Sequence, residues 1–305
     1  MIKSQFNYFS KHWHHLMWSV CKESVAWFSV FLATFSAALA IAPEASATHI
    51  LLERVSGWVV LVWPPILFVL FIIVISAIKN WPRMYASYHD VRTDTEVIIE
   101  CADLLEQNGL KVIHSVDTFD TELGTIITPR SLHGAFLKFC KKVNFPIDEE
   151  LDKMLKHAKK GETDANLPGR QQRYPIGYAC PLEVNEEPFV LVSFACLQED
   201  GSIQVTRQEY IEFLMKMWDS LSKPKIREEV INVAVIGNQF IDLPADFTIE
   251  QKIDIMVQTF FVFARNHTTC KTLRICVHEK NAAEVDFYHY STIIEHLAKR
   301  PELNF

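Results

Sequence analysis

LKVIHSVDTFDTELGTIITPRSLHG, residues 110–134, contains a strand, a polar loop and the start of a helix. Val112, Ile113 and Val116 form a β-branched apolar run, which is typical of a buried strand. The loop that follows, Asp117 to Thr121, is polar, and loops at the carboxyl ends of buried strands are where open α/β sheets bind ligands. The segment therefore predicts an α/β domain with a ligand site beside this loop.

The end of this segment predicts the beginning of a helix. Ser131 is a suitable N-cap residue, and apolar residues recur at helical spacing from Leu132 to Cys140. A helix that begins there directs its unpaired backbone amides back towards the polar loop. This arrangement favours an anionic ligand that carries phosphate groups.

Strands and helices alternate through the rest of the C-terminal two thirds of the chain. The predicted strands are 97–99, 174–184, 189–197, 230–236 and 272–277, and the further predicted helices are 103–107, 206–221, 248–265 and 285–299. Two of the helices begin with a capping box, Thr206 with Glu209 and Thr248 with Gln251. The strands 174–184 and 189–197 are expected to be antiparallel neighbours. The pattern predicts a three-layer α/β/α domain with a mixed sheet.

A second strand end is a candidate partner for the polar loop. The strand that ends at Ile236 leads into Gly237-Asn238-Gln239, a short polar loop. If the two strands are neighbours, a diphosphate fits between the amides of the two loops. The alternative is that both are ordinary loops of an α/β domain, and spacing alone favours that alternative.

Charge and cysteine content limit the possible partners. The first 78 residues hold four basic and three acidic residues, so the remainder holds 26 basic and 34 acidic residues, a net −8. An acidic domain argues against duplex nucleic acid as a partner, because such binding requires a basic face. The seven cysteines are scattered, odd in number and mostly within apolar runs, which predicts free thiols in a reducing compartment.

The N-terminal region predicts two membrane spans. Residues 25–42 and 58–78 contain no charged residue, and they are long enough to cross a hydrocarbon core of about 30 Å. Tryptophans cluster at and beside these spans, and lysine and arginine flank the pair on its outer sides, which places both termini in the cytoplasm. We therefore predict a membrane region at residues 1–79, a connector at 80–92 and the α/β domain at 93–305.

Two other interpretations of the N-terminal region were weighed. Lysines ahead of an apolar run that ends in Ala45-Ser46-Ala47 resemble a signal peptide, but the region before the run is long and the run is long enough to span a membrane. A buried helical hairpin of a soluble protein would normally show a polar stripe, and neither segment has one. The membrane hairpin is the preferred interpretation.

Catalytic motifs are scarce in the sequence. GxxxxGK[ST], GxSxG, HExxH and GxGxxG are all absent, and the cysteines and histidines show no metal-binding spacing. Asp117, Asp120 and His133 offer acid and base groups, but no nucleophile is positioned beside them. The sequence predicts a binding protein without a metal or cofactor, and not an enzyme.

Four motifs in the C-terminal domain resemble those of the macro domain of Thoeris anti-phage effectors. Members of that family carry a Gly-Asp pair after a strand, an N-x-x-F-D-T loop, an I-I-x-x-x-S-L-H-G segment and a Y-P-x-G strand start. The corresponding segments here are Cys101-Ala102-Asp103, VIHSVDTFDT, IITPRSLHG and RYPIGYA. Two membrane spans ahead of such a domain match the architecture of the membrane-bound Thoeris effectors.

The resemblance implies a sensor at the bacterial inner membrane. In such systems a TIR-domain enzyme consumes NAD on infection and releases an ADP-ribose derivative, histidine-ADP-ribose in the type with this architecture. The macro domain binds that signal, and the effector forms a homo-oligomer that disrupts membrane lipid and arrests or kills the cell. The two rival functions are a membrane-tethered ADP-ribosyl hydrolase and a scaffold that binds no nucleotide.

The resemblance also implies roles for individual residues. Asp103 would contact adenine, and the loop with Asp117, Phe119, Asp120 and Thr121 would surround the distal ribose. Ser131, Leu132, His133 and Gly134 would border the cleft, Gly237, Asn238 and Gln239 would form the second phosphate loop, and Phe287 would stack on adenine. The family Gly is Ala102 here, the loop Asn is Asp117, and a second-loop Gly is Gln239. Asp in place of Asn removes a donor and adds negative charge, which is compatible with a modified ligand that offers a cation or extra donors.

Overall fold

The computed structural model describes residues 84–237 and 247–299, together with residues 8, 10, 11, 13, 14, 18, 21, 22, 25–30, 66, 68 and 70–75. The chain divides into two compact units, Met1–Arg83 and Met84–Phe305. The described residues of the first unit are helical. Within the part of the chain that is described, no helix combines the length and the apolar character needed to cross a membrane. Most of the predicted spans 25–42 and 58–78 lies outside the described residues, and the hairpin stays a prediction.

A mixed sheet of seven strands organises the described part of the second unit. The strands are β1 (Tyr85–Asp90), β2 (Thr95–Cys101), β3 (Leu110–Val116), β4 (Ala179–Val184), β5 (Glu187–Ala195), β6 (Val230–Ala234) and β7 (Thr272–Val277). Their spatial order is β1-β2-β7-β6-β3-β5-β4. The five inner strands are parallel, and β1 and β4 pair antiparallel at the two edges. The carboxyl ends of the five parallel strands therefore meet at one edge of the sheet.

Helices cover both faces of this sheet. The described helices of the unit are α1 (Leu132–Lys142), α2 (Ile147–Leu155), α3 (Arg207–Leu221), α4 (Ile249–Ala264) and α5 (Phe287–Lys299), with short 3-10 helices at Leu104–Glu106 and Glu279–Glu284. Ile113 and Leu191 pack in one apolar cluster with Phe136 of α1. On the opposite face, Phe194 of β5 contacts the ring of Phe213 in α3 with a centroid distance of 4.6 Å. The predicted three-layer α/β/α architecture with a mixed sheet is confirmed.

A buried polar chain holds the middle of the sheet in this order. The amide nitrogen of Asn232, on β6, donates to the carbonyl oxygens of Asn108 (2.8 Å) and Leu110 (3.2 Å), which lie at the start of β3. Arg274, on the neighbouring β7, donates to the Asn232 side-chain oxygen at 2.9 Å and pairs with Glu100 of β2 at 2.7 Å. Because a buried polar group without a partner is costly, these bonds disfavour other strand orders.

Most of the predicted elements are present, with shifted ends. Both capping boxes are formed, at the starts of α3 and α4. The predicted strand 174–184 begins only at Ala179, the predicted strand 97–99 extends from Thr95 to Cys101, and the predicted helix 285–299 begins at Phe287. A correction concerns the predicted connector 80–92, which contains β1. β1 is an edge strand and has no continuous apolar run, whereas such a run is the pattern that predicts the other strands from the sequence.

Candidate ligand-binding site

A cleft of about 310 Å³ opens where the parallel strands end. Each of the five strand ends contributes to its wall: Asp103 follows β2, Val116 ends β3, Ala195 ends β5, Val235 follows β6 and His278 follows β7. This volume is at the lower end of the range for small-molecule sites. The sequence left open whether the strands that lead to Val116 and Ile236 are neighbours, and the structure shows that they are, because β3 pairs with β6. The site is a crevice at the carboxyl edge of the sheet, as expected for an open α/β fold.

A bulge shapes the floor of this cleft. Ser115 of β3 pairs with Ser193 of β5, but the next residue, Val116, pairs with Ala195, so Phe194 is the extra residue on β5. Bulges redirect side chains at the ends of strands. The rings of Phe194 and His114 meet edge to face at 6.1 Å, and both line the cleft.

The first turn of α1 forms a second wall, and we call residues 131–134 the helix start. The Ser131 hydroxyl accepts a hydrogen bond from the backbone N–H of Gly134 at 3.0 Å, so the predicted N-cap is present. The first N–H groups of a helix have no partner within the helix, so the amides of Leu132 and His133 are suited to a ligand. Ser131, Leu132 and His133 all line the cleft.

Gly134 has a steric role behind this wall. A methyl group at this position would lie 2.3 Å from the Thr128 carbonyl oxygen and 2.9 Å from Cα of Pro129. Contacts this short are not tolerated, so only glycine lets residues 128–129 lie directly on the helix start. Gly134 does not line the cleft itself, but it fixes the position of residues that do.

Two histidines of the cleft are neutral at physiological pH. Burial, together with a smaller contribution from the nearby His114, lowers the pKa of His133 to about 3. Burial also lowers the pKa of His114, to about 4. His133 is only 4% exposed, and its Nε2 atom has no hydrogen-bond partner among the described residues. A buried imidazole nitrogen without a hydrogen bond costs free energy. A ligand or a water molecule that bonds to this Nε2 atom would recover that free energy.

The loop after β3, residues 117–121, is used differently, and we call it the braced loop. The carboxylate of Asp117 pairs with the Arg173 guanidinium at 2.6 Å and accepts the N–H of Leu197 at 2.9 Å. Arg173 also donates to the Leu197 carbonyl oxygen at 2.8 Å and pairs with Asp164 at 3.2 Å. Asp117 is 1% exposed and does not line the cleft. Its carboxylate connects three loops.

The other residues of the braced loop also have internal partners. The two oxygens of Asp120 accept the N–H groups of Glu122 (2.9 Å) and Arg170 (2.7 Å). Phe119 is buried with a backbone φ of +52°, an unusual value for a bulky residue, and its ring packs against Tyr174 at 5.7 Å. Thr121 donates to Asp148 of α2. None of Phe119, Asp120 and Thr121 lines the cleft.

Comparison with known protein families agrees with this architecture. The family model described as "Thoeris protein ThsA, Macro domain" matches residues 97–278, more than half of the 305 residues. The chain belongs to the ThsA macro-domain family. No curated protein matches it.

Solved structures similar to this ThsA family member include two mutants of the Oceanobacillus iheyensis macrodomain. The asparagine-to-alanine mutant is 12% identical, with a TM-score of 0.43, and the match covers 72% of this chain and 97% of that one. The aspartate-to-alanine mutant is 13% identical, with a TM-score of 0.40, and the match covers 70% and 98%.

The predicted site residues of this ThsA family member fall into three groups. The cleft is lined by Asp103, Ser131, Leu132 and His133. Other residues lie elsewhere in the described domain, namely Asp117, Phe119, Asp120, Thr121, Gly134, Gly237 and Phe287, the last of which is buried at 2% exposure. Asn238 and Gln239 are outside the described residues.

The cleft of this ThsA family member also contains residues that the sequence did not single out. Among them are two cations on its rim, Arg130 and Lys280, and the polar His278 and Asn281 beside Lys280. Arg130 directly precedes the predicted helix start, a position where a cation adds to the attraction of free amides for an anion. His278 and Lys280 follow β7, the last parallel strand in the sequence. Only the strand order shows that the end of β7 lies beside the other strand ends of the cleft.

Proposed function

We propose that this protein is the sensor of an anti-phage defence system and that the cleft binds an ADP-ribose derivative. Membership of the ThsA macro-domain family supports a role in Thoeris defence. The observation that carries the ligand class is the cleft, where five strand ends, the helix start and two cations converge. Such a site suits a ligand with phosphates and neutral polar groups.

Residues that line the cleft match the two kinds of group in such a ligand. Asp103 caps the 3-10 helix Leu104–Glu106, and one carboxylate oxygen accepts the N–H of Leu105 at 3.0 Å. Its other oxygen is available to the exocyclic amine of an adenine. The amides of Leu132 and His133, with Arg130 and Lys280 on the rim, suit the diphosphate.

The signal that we propose is histidine-ADP-ribose, made from NAD by a TIR-domain partner. We further propose that two N-terminal spans anchor the protein in the bacterial inner membrane, with both termini in the cytoplasm. Binding then drives homo-oligomerisation and disruption of the membrane lipid, which arrests or kills the cell. The signal must favour the assembled state by its difference in affinity, because equal binding to both states shifts nothing.

We favour binding over hydrolysis because of how the carboxylates are used. A hydrolase needs a general base that is free to take a proton, and Asp117 and Asp120 are both engaged by internal donors. His114 and His133 are neutral with low pKa values and are therefore weak bases. Among the described residues, no group of three or more metal-binding side chains is assembled.

The test is calorimetry on the full-length chain in detergent micelles with ADP-ribose, cyclic ADP-ribose and histidine-ADP-ribose. Light scattering reports assembly, and mass spectrometry reports whether the nucleotide stays intact. We expect tight binding of histidine-ADP-ribose, no turnover and a shift to larger species. Steady cleavage would support the membrane-tethered hydrolase, and no binding to any of the three would support the scaffold. Equal affinity for ADP-ribose and the conjugate would remove the case for the conjugate as the signal.

A pair of variants ties binding to the cleft. Ala135 lines the cleft, so Ala135→Phe places a ring inside it and is expected to abolish binding. Ala165 is exposed and does not line the cleft, so Ala165→Phe adds the same ring elsewhere and should leave affinity unchanged. Equal affinity in both variants would place the ligand outside this cleft.

A further inference from the structure

Two buried polar atoms in the cleft lack hydrogen-bond partners among the residues that the structure describes. They are the Oγ atom of Ser115, in a residue that is 5% exposed, and the Nε2 atom of His133, in a residue that is 4% exposed. Both residues line the cleft. An unsatisfied buried polar group costs about 1–3 kcal/mol, so two of them in one cleft are a feature that needs a function.

The two side chains approach the cleft from facing elements. Ile113 of β3 packs with Phe136 and Leu137 of α1, and Ser115 lies two residues further along the same strand. Because side chains alternate along a strand, Ser115 points to the same face, towards the helix that carries His133. The bulge opposite Ser115 interrupts the regular pairing at this point and leaves room at the strand end.

We infer that Ser115 and His133 form a subsite that binds a hydroxyl group of the ligand and thereby contributes to its selection. This inference rests on the proposed function, because a sugar nucleotide is the ligand class that would bring such a hydroxyl into the cleft. It goes beyond the proposed function by assigning the recognition of that hydroxyl to two side chains.

The chemistry of the pair selects a hydroxyl over a charged group. A serine hydroxyl both donates and accepts, and a neutral imidazole nitrogen does one or the other according to its tautomer. A ligand hydroxyl satisfies both atoms whichever tautomer is present. A phosphate or carboxylate gains little from an uncharged imidazole, and an ammonium group would lose its hydration in this buried position. The subsite therefore suits a ribose hydroxyl better than an anion or a cation.

The test measures the affinity of the full-length chain for ADP-ribose and histidine-ADP-ribose in the variants His133→Phe and Ser115→Ala. His133→Phe keeps a ring of similar shape and removes its nitrogens, and Ser115→Ala removes only the hydroxyl. Each variant should weaken binding about 3- to 10-fold, the equivalent of one neutral hydrogen bond. Analogues of ADP-ribose that each lack one hydroxyl identify the hydroxyl that the subsite binds. The analogue without that hydroxyl should bind wild type more weakly than ADP-ribose does, and His133→Phe should weaken its binding little further.

Thr118→Val is the matched control. The Thr118 hydroxyl is also buried and without a partner among the described residues, but Thr118 does not line the cleft. Its replacement should leave affinity within about 2-fold of wild type, which is less than the smallest loss of about 3-fold expected for the subsite variants. Thermal unfolding of every variant shows whether it folds. If His133→Phe does not fold, Ser115→Ala still tests the subsite.

The outcomes separate the two proposals. If wild type binds nucleotide and both subsite variants bind equally well, water satisfies the two atoms and the subsite is overturned, while the proposed function stands. If no deoxy analogue loses affinity selectively, the hydroxyl assignment is overturned. If wild type binds neither nucleotide, both the proposed function and the subsite are overturned.

Discussion

The braced loop and the helix start follow one another after β3, both are polar, and they differ in how their polar groups are used. In the braced loop, Asp117 pairs with the Arg173 side chain and accepts one backbone N–H, and Asp120 accepts two backbone N–H groups. At the helix start, the imidazole nitrogen of His133 has no partner among the described residues. The difference shows that polar side chains at a strand end can be fully used within the domain. We propose that unused hydrogen-bonding capacity beside a cleft is the better guide to a binding residue.

The largest effect is expected from Asp117→Ala, which removes a buried charge from the braced loop. It leaves the Arg173 guanidinium without its closest carboxylate and the N–H of Leu197 without an acceptor. Loss of one member of a buried ion pair costs about 3–5 kcal/mol, and we expect about 3 kcal/mol because Arg173 keeps other partners. Urea unfolding of the variant measures this loss.

Asp164→Ala is the control on the same guanidinium. Asp164 lies further from Arg173, at 3.2 Å, and its side chain is more exposed, so its removal should cost less than about 1 kcal/mol. In a folded Asp117→Ala protein, ADP-ribose affinity should stay near that of wild type. A large loss of affinity without loss of stability would instead show that Asp117 contacts the ligand. The braced loop and the helix start would then not differ in the way described.

Gly134→Ala tests the support of the helix start. The new methyl group would displace residues 128–129, and overpacking of this kind costs about 1–3 kcal/mol. Because Thr128 lines the cleft, nucleotide affinity should fall together with stability. At Gly161 the closest atom to such a methyl group is 3.2 Å away, so Gly161→Ala should cost clearly less. Equal losses in urea unfolding would show that the contact at Gly134 relaxes easily.

Acid should destabilise the domain through His133, the buried histidine of the cleft. Burial lowers the pKa of His133 to about 3 in the folded state, whereas an unfolded histidine has a pKa of about 6.5. Between these values the unfolded chain binds more protons, so the unfolding free energy rises with pH and is lost as pH falls from about 6.5 towards 3. The slope from this residue is at most about 1.4 kcal/mol per pH unit.

Urea unfolding between pH 7 and pH 5 measures this slope in wild type and in His133→Phe. The variant should lose stability less steeply, because it has one less buried histidine to protonate. An identical slope in the two proteins would mean that His133 is accessible to protons and water in the folded state.

The smallest effect is expected from Ser131→Ala, which removes the N-cap at the helix start. Loss of such a cap costs about 1 kcal/mol. Thr206→Ala removes the corresponding cap of α3, which does not line the cleft, and should cost a similar amount. Only Ser131→Ala should also weaken ADP-ribose binding. If Ser131→Ala and Thr206→Ala bind ADP-ribose equally tightly in calorimetry, the cap at Ser131 orients no ligand contact.

Sequence reasoning located the site better than it identified its members. The strand end at Val116 and the N-cap at Ser131 were predicted from local patterns and are present. The braced loop looked like a binding loop because its partners, Arg170 and Arg173, are about fifty residues further along the chain. Lys280 was missed because it belongs to no local motif, and Arg130 was missed although it directly precedes the predicted N-cap Ser131.

The sequence by itself determined the order of elements, the capped helices and the acidic character of the C-terminal domain. These follow from periodicity, propensity and charge, which act between neighbouring residues. The tertiary structure decided the strand order, the place where five strand ends meet, and which polar groups find partners. Those outcomes depend on contacts between residues far apart in sequence, where each buried donor and acceptor is satisfied or left free by the packing of the whole domain.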